Sequence, residues 1–317
     1  MSRSSSTSSP KNIVIDWGTT SFRASLCSQA GQQLDFIEND RGISVVAPGT
    51  HERELMSLIG GWLDNHGPMT IYAMGMITSR NGWIEVPYVS CPASLPELAN
   101  GSVGKQLSDG SEVVFLAGIN DPARQPYPDV MRGEETQIVG FGLAQDLTVV
   151  LPGTHSKWAR ISEQRINSFQ TFVTGELYAL LSQHSFIAKS GPAKPEPDYA
   201  SFDLGLRTAL QGSPEHSALP TLLFSARTGM LAGELEPGQI RDYVSGLLIG
   251  HEFACAMACG WIKKGDQIGI VGNDGLNDRY ARAASIADLS VKQGNEQAGL
   301  NGALLIAAEL EEYSNAA

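Results

Sequence analysis

The stretch IVIDWGTTSFRASLC, residues 13–27, ends an apolar run on a carboxylate, Asp16, and follows it with Trp17, Gly18 and three hydroxyls, Thr19, Thr20 and Ser21. The apolar alternation then resumes. A hairpin turn explains this, since Thr and Ser are common turn residues. A phosphate site explains it as well, because a glycine lets the following backbone N–H groups converge on an anion. The same choice returns 135 positions later in LPGTHSKWARI, residues 151–161, where Gly153-Thr154 stands for Gly18-Thr19 and Ala159 for Ala24.

Working outward, NIVIDWG predicts one strand, SFRASLC a second and QQLDFIEN a third, with SQAGQQ as the turn between the last two. Residues 51–66 put Leu55, Ile59, Trp62 and Leu63 on one helical face. MTIYAMGMI (69–77) reads as a strand inside a covered sheet, and EVVFLAGI (112–119) as another. From residue 147 the order repeats: strand, Gly-Thr turn, strand, turn, strand, helix. A helix near 239–264, a strand over 266–272, a helix over RYARAASIAD capped by Asn277 or Asp278, and a final helix near 296–313 follow. Two copies of a β-β-β-α unit imply a duplicated α/β architecture with a cleft between the halves. The expected division is a disordered tail over 1–10, a first domain over 11–145 with a ligand-binding insert, and a second over 146–317 whose last helix packs back on the first.

Composition narrows the function. Net charge is −12, from 34 acidic and 22 basic residues, which speaks against a nucleic-acid or membrane-surface partner but not against a small anion held by a few local donors. No run approaches the roughly 20 apolar residues of a membrane span, and MSRSSSTSSP lacks the apolar core of a signal peptide, so the expected location is the cytoplasm. Cys255 and Cys259 lie four apart without zinc-like spacing and are expected to be buried thiols. A homodimer is compatible with all of this.

The two Gly-Thr turns offer Thr19, Thr20, Thr154 and Ser156 as hydroxyl donors to phosphate, and Asp16 suits a hydrated Mg²⁺, which binds few carboxylates and keeps its waters. IGIVGNDGLNDRYARA adds a third loop: Gly272 and Gly275 let a flat ligand approach, and Asn273 and Asn277 flank a helix N-terminus whose positive end suits a phosphate or ribose. For either turn alone an ordinary hairpin is the better reading; the two together with this loop favour phosphate.

These segments resemble the actin/hexokinase/Hsp70 ATPase superfamily, with DWGTTSFRASL similar to its first phosphate loop, LPGTHSKWARI to its second, GIVGNDGLN to its adenosine loop and GNEQAGLNGALLIA to its closing helix. GMITSRNGWIEVPYVSCPA (75–93), DVMRGEETQIVG (129–140), VLPGTHSKW (150–158) and FVTGELYALL (172–181) are similar to one branch, the 2-dehydro-3-deoxygalactonokinase family. The resemblance implies a ribonuclease H-like (actin/hexokinase-type) fold and transfer of phosphate from ATP, with Mg²⁺, to the terminal hydroxyl of a six-carbon sugar acid. A non-catalytic nucleotide-binding regulator and a phosphatase-like hydrolase are the competing classes.

One position departs from the superfamily. Its second phosphate loop commonly has Asp two residues before the glycine, where this chain has Leu151, so the proton acceptor must come from elsewhere. Asp129, Glu134 and Glu135 are the candidates, a carboxylate being suited to take the attacking hydroxyl's proton. Acidic residues also favour helix starts for the dipole alone. Arg80 is the natural clamp for the substrate carboxylate, with Ser79, Trp83, Glu85 and Tyr88 around it, or else a surface residue. Lys157 and Arg132 either neutralise phosphate or point to solvent, and His155 has a plain surface or core reading beside a phosphate role.

Overall fold

Strands β1 (Pro10–Trp17), β2 (Phe22–Ser28) and β3 (Gln33–Asn39) form an antiparallel meander in which β1 and β2 are largely buried and β3 is the exposed edge, with Ile15 opposite Ala24 and Asp16 opposite Arg23. The computed structural model describes residues 9–187, 196–211 and 218–316. Of the tail expected over 1–10, residues 1–8 lie outside the described residues, and Pro10 already opens β1. Helix α1 (His51–His66) buries Leu55, Ile59, Trp62 and Leu63, the face its spacing predicts. Strand β4 (Thr70–Met74) is shorter than expected. Gly75, at φ +86°, turns the chain out of the sheet into a 3-10 turn over Met76–Thr78.

Beyond this lie β5 (Val89–Ser90), α2 (Leu95–Asn100), β6 (Val103–Gln106), β7 (Glu112–Phe115), β8 (Ile119–Asp121), β9 (Asp129–Met131) and α3 (Glu134–Phe141). The second half runs β10 (Leu147–Leu151), β11 (Ser156–Ser162), β12 (Arg165–Phe172), α4 (Thr174–His184), α5 (Tyr199–Gln211), α6 (Leu219–Leu231), α7 (Ile240–Ala258), β13 (Gln267–Ile270), α8 (Asp274–Ile286), β14 (Ser290–Gln293) and α9 (Ala298–Ala316). Helix α7 stops six residues before the expected end, because Gly260 at φ +71° closes its C-terminus. That leaves Cys259 exposed and Cys255 only partly buried, so the buried-thiol expectation fails for this pair.

The repeat is visible in the sheets. One has the order β3-β2-β1-β4-β7-β6 and the other β12-β11-β10-β13-β14, so each sets a three-strand meander beside parallel strands: β1 with β4 and β4 with β7, then β10 with β13 and β13 with β14. A small third sheet has the order β5-β8-β9. Ile13, Ile15, Trp17, Phe22, Leu55 and Phe115 centre one core, and Trp158, Phe202, Phe253, Ile268 and Tyr280 another. Each such side chain contributes about 1.5–3 kcal/mol by leaving water.

The chain does not divide once at residue 145. Unit 1 comprises Met1–Asp146, Ile161–Phe169 and Asn295–Ala317, and unit 2 comprises Leu147–Arg160 and Gln170–Gly294. Contacts within unit 1 explain its scattered membership. The hairpin tip bonds through Ile166 to the backbone of Ala93, and Arg165 pairs with Glu97 at 2.9 Å. Helix α9 meets α3 backbone to backbone: a Cβ on Gly302 would fall 1.8 Å from the Thr136 carbonyl oxygen, and one on Gly140 1.8 Å from that of Ala298. No helix among the described residues is long and apolar enough to cross a membrane.

Candidate active site

In unit 1, three chain segments meet around carboxylates. Strand β1 carries Asp16 one residue before its end, β4 ends just before Gly75, and α3 begins with Glu134 and Glu135. Two glycines permit the approach. A Cβ on Gly75 would lie 2.8 Å from Asp16 Oδ1, and one on Gly133 (φ +111°) 3.5 Å from Gly75 Cα. Burial lifts the Asp16 carboxyl above the usual carboxylate range, Arg23 across the β1–β2 pair opposes this, and the negative charge of Glu134 adds to it. A divalent cation is the group that relieves such like-charge crowding. Among the described residues no three carboxylate, His or Cys side chains form a cage, so the donor set suits a hydrated ion on one carboxylate rather than a dedicated metal cage.

The three candidate bases separate by position. Asp129 is not beside a helix start but on β9, paired opposite Asp121, with Oδ1 accepting from the Val130 N–H at 2.8 Å. A three-residue strand is too short to show in a periodicity. Glu135 is 1% exposed, both its oxygens accept from the Gly133 N–H at 2.8 Å, and Thr136 donates to it at 3.0 Å. Burial first, and Glu134 second, push its carboxyl up to about 8. Glu134 is half-buried and accepts from the Arg132 N–H at 3.0 Å, which leaves it the accessible carboxylate of the pair beside Asp16.

Glu135 also yields a pH prediction. Its folded pKa, about 8, lies above its ordinary value of 4.5, so folding favours the protonated form. The stabilisation is whole below 4.5 and is lost as pH rises through 8. Glu135→Gln cannot ionise and is expected to flatten the fall in melting temperature between pH 5 and pH 8.5. An unchanged slope would show that Glu135 does not titrate in that window.

Arg132 points neither to solvent nor to open space. Nη1 donates to Thr78 Oγ1 at 2.6 Å, Nη2 to the Val86 carbonyl at 2.8 Å, and the guanidinium lies 4.2 Å from the centroid of the Tyr88 ring. It ties the 78–88 loop to the start of α3. Its Nε is buried without a partner among the described residues. Arg80 is exposed, with no hydrogen bond or ion pair among the described residues, and Glu85 is exposed too. Ser79 spends its hydroxyl on the Met76 carbonyl at 2.7 Å. Trp83 stacks on His51 and meets Phe115 edge-on, which assigns it to packing.

The first Gly-Thr turn is closed by Gly18 N–H to the Ser21 carbonyl at 2.9 Å, with Thr19 and Thr20 exposed. The Gly18 and Thr19 carbonyls accept from the Ile43 and Ser44 N–H groups, so the turn's carbonyls are occupied from behind. Gly42 packs flush there, where a Cβ would fall 2.3 Å from Thr19 O.

Unit 2 repeats this device. The Thr154 carbonyl accepts from the Glu176 N–H at 3.0 Å, and a Cβ on Gly175 would fall 2.3 Å from Gly153 O. Thr154 and His155 are exposed, and His155 Nε2 sits 2.7 Å from Glu176 Oε2. Lys157 is 5% exposed and donates to Thr171 Oγ1 at 2.8 Å, so it does not point to solvent. Ser156 is fully buried, and its hydroxyl donates to Glu252 Oε1 at 2.7 Å. The cap of α8 is Asn273, whose side chain accepts from the Leu276 N–H at 3.1 Å, not Asn277 or Asp278. Asn277, inside the helix, donates to the Gly272 carbonyl at 2.8 Å, and its Oδ1 is buried without a partner among the described residues. Beside these loops a cavity of about 120 Å³ is lined by Gly153, Thr174, Gly175, Leu248, Leu276 and Tyr280, among others. Its wall is largely apolar, with Thr174, Ser245, Arg279 and Tyr280 as polar members.

Gly42, Gly175 and Glu252 escape sequence reasoning. Only the TGEL segment that holds Gly175 carries a signal, and that signal names a family rather than a role.

Two sheets that each set a three-strand meander beside parallel strands, with a Gly-Thr turn after the first strand, define an actin/hexokinase-type kinase fold. The same fold is found in the xylulose kinase of Lactobacillus acidophilus, with a TM-score of 0.53 at 9% identity over 95% of this chain and 90% of that one. The family model for 2-keto-3-deoxy-galactonokinase matches residues 16–306, and the chain belongs to that family. The 2-dehydro-3-deoxygalactonokinase of Escherichia coli (strain K12) is 33% identical over 272 residues, which are 86% of this chain and 88% of the relative. DgoK1 of Rhizobium meliloti (strain 1021) is 34% identical over 303 residues, 93% and 95% of the two chains. A crystal structure from Sinorhizobium meliloti, of a protein assigned to the same enzyme, superposes with a TM-score of 0.81 at 28% identity over 95% of this chain and 99% of that one.

Proposed function

We propose that this protein phosphorylates 2-dehydro-3-deoxy-D-galactonate at its terminal hydroxyl, with ATP as donor, giving the 6-phosphate. The observation that carries the reading is the half-buried Glu134 beside Asp16 at the glycine-lined start of α3, in a chain of this family. Glu134 accepts the proton of the terminal hydroxyl as that oxygen attacks the γ-phosphorus; the bond to the bridging oxygen breaks and ADP leaves. Little covalent chemistry is asked of the protein, so positioning and charge carry most of the rate.

From unit 1, Asp16 would hold Mg²⁺, which when bound neutralises the charge of the ATP phosphates. Gly18, Thr19 and Thr20 receive the γ-phosphoryl group, and Arg80 grips the substrate carboxylate. Tyr88, held by Arg132, and the exposed Glu85 are the remaining substrate-side groups. From unit 2, Gly153, Thr154, His155 and Lys157 serve the phosphates. Gly272, Asn273, Gly275 and Asn277 serve the nucleoside, the unpaired Asn277 Oδ1 suiting a ligand donor. Ser156, Ser79 and Trp83 support these groups rather than touch a ligand, since their hydroxyls and ring are engaged within the protein. The free thiols and the demand for ATP support a cytoplasmic location.

A coupled assay for ADP, with and without the sugar acid, tests the reading. ADP formation that requires the sugar acid, with a phosphomonoester at C6 by phosphorus NMR, is the expected result. Phosphate release without the acid would make the protein a hydrolase, and no turnover at all a nucleotide-binding regulator. Arg80→Met is expected to raise KM for the sugar acid roughly 10- to 150-fold, the equivalent of a charge-assisted bond of about 1.5–3 kcal/mol, and to leave KM for ATP alone. Equal KM values in variant and wild type would remove Arg80 from the site.

A further inference from the structure

Glu252 lies on α7, far in sequence from every motif, and is 1% exposed. Four side chains donate to it. Ser156 Oγ and Trp158 Nε1 reach Oε1 at 2.7 and 2.6 Å; Thr174 Oγ1 and Tyr280 OH (2.8 Å) reach Oε2. The donors come from β11, α4 and α8, so one carboxylate joins the strand after the phosphate turn to the two helices beside the cavity. An isolated buried carboxylate is costly, and four donors are what make it tolerable.

Thr174 and Tyr280 both line the cavity. A hydroxyl has one proton and two lone pairs. With each proton committed to Glu252, what these oxygens have left is acceptor capacity. Two acceptor oxygens among the few polar groups of the wall, which also include Ser245 and Arg279, suit the donors of a ligand, and the hydroxyls of a ribose are such donors.

We propose that Glu252 is the positioning residue of the nucleoside wall in unit 2: by taking the protons of Thr174 and Tyr280 it holds their oxygens as acceptors, and so makes the enzyme selective for the ribose hydroxyls of its nucleotide. The inference rests on the assignment of this cavity to the nucleotide.

The geometry predicts what an amide does there. The indole N–H of Trp158 only donates, so Glu252→Gln must keep its one oxygen toward Trp158 and turn its NH₂ toward Thr174 and Tyr280. Those hydroxyls must then accept from the amide and turn their own protons outward. The polarity of the wall inverts while its shape is kept.

The test compares ATP with 2′-deoxy-ATP and 3′-deoxy-ATP as phosphate donors, at saturating sugar acid, in wild type and E252Q. The wild type is expected to prefer ATP over at least one analogue by roughly 2- to 12-fold in kcat/KM, the equivalent of a hydrogen bond of about 0.5–1.5 kcal/mol. E252Q is expected to lose that preference and raise KM for ATP, with KM for the sugar acid unchanged. Thr174→Val and Tyr280→Phe remove one hydroxyl each and keep the packing, so they answer the question even if E252Q does not fold; each is expected to lose part of the preference. A lower melting temperature with the ATP preference intact would reduce Glu252 to a fold-stabilising group and overturn the proposal, as would a wild type indifferent to both hydroxyls. Failure of the nucleotide assignment shows separately, as no binding of ATP to the wild type in equilibrium dialysis, and overturns the inference with it.

Discussion

Glu134→Gln is expected to lower kcat by about 10²–10⁴-fold, the usual worth of a positioned general base. The amide keeps the size of the side chain and can still accept from the Arg132 N–H, so the start of α3 should hold. What it cannot do is take a proton from the attacking hydroxyl. KM for ATP should not move, because no nucleotide-side group is touched. Glu135→Gln is the matched control. That carboxyl is buried, both oxygens are occupied by the Gly133 N–H, and its raised pKa keeps it largely protonated near neutrality, three properties that suit a structural group and not a base. A kcat collapse in E135Q with normal turnover in E134Q would reverse the assignment. Normal turnover in both, together with Asp129→Asn, would place the base outside this segment.

Gly175→Ala is the second large effect. The added Cβ would sit 2.3 Å from Gly153 O and 2.9 Å from both Gly153 C and Thr154 Cα. Those neighbours are backbone, with no flexible end to swing aside, so either the turn or the first turn of α4 must move. Overpacking of this kind costs about 1–3 kcal/mol, or roughly 5- to 150-fold if it is all expressed in ligand affinity. The Glu176 N–H to Thr154 carbonyl bond ties the two segments together, so the loss is expected in kcat/KM for ATP together with a lower melting temperature. A variant equal to wild type in both would show that the close approach carries no functional weight.

Much of this architecture is legible in the sequence because it is periodic. The meander of β1 to β3 follows from short apolar runs broken by turn residues, the buried face of α1 from spacings of three to four residues, and the recurrence of Gly-Thr after a first strand marks the duplication. The site is legible only where a residue type carries its own chemistry, as with Asp16 and the paired glutamates. Gly42 and Gly175 are needed because of backbone that arrives from elsewhere in the chain, and no local pattern reports an arrival. Glu252 stands 96 residues from Ser156 and 28 from Tyr280, so its four donors are invisible until the helices are placed. Trp83 reads in the sequence as an aromatic in a polar loop, and its stacking on His51 and edge-on contact with Phe115, both distant in the chain, pack it against the core.

The glycine seam between α3 and α9 has a consequence for biosynthesis. Helix α3, which carries Glu134, leaves the ribosome well before its partner, since Ala298 follows Glu134 by 164 residues. At about 5–20 residues per second, α3 waits roughly 8 to 33 seconds for the surface it packs against. Unit 2 is encoded wholly inside that interval, so its own core can form first. The nascent chain thus leaves the α3 seam uncovered until the last helix is made, and unit 1 is completed in a single late step, when α9 closes on it.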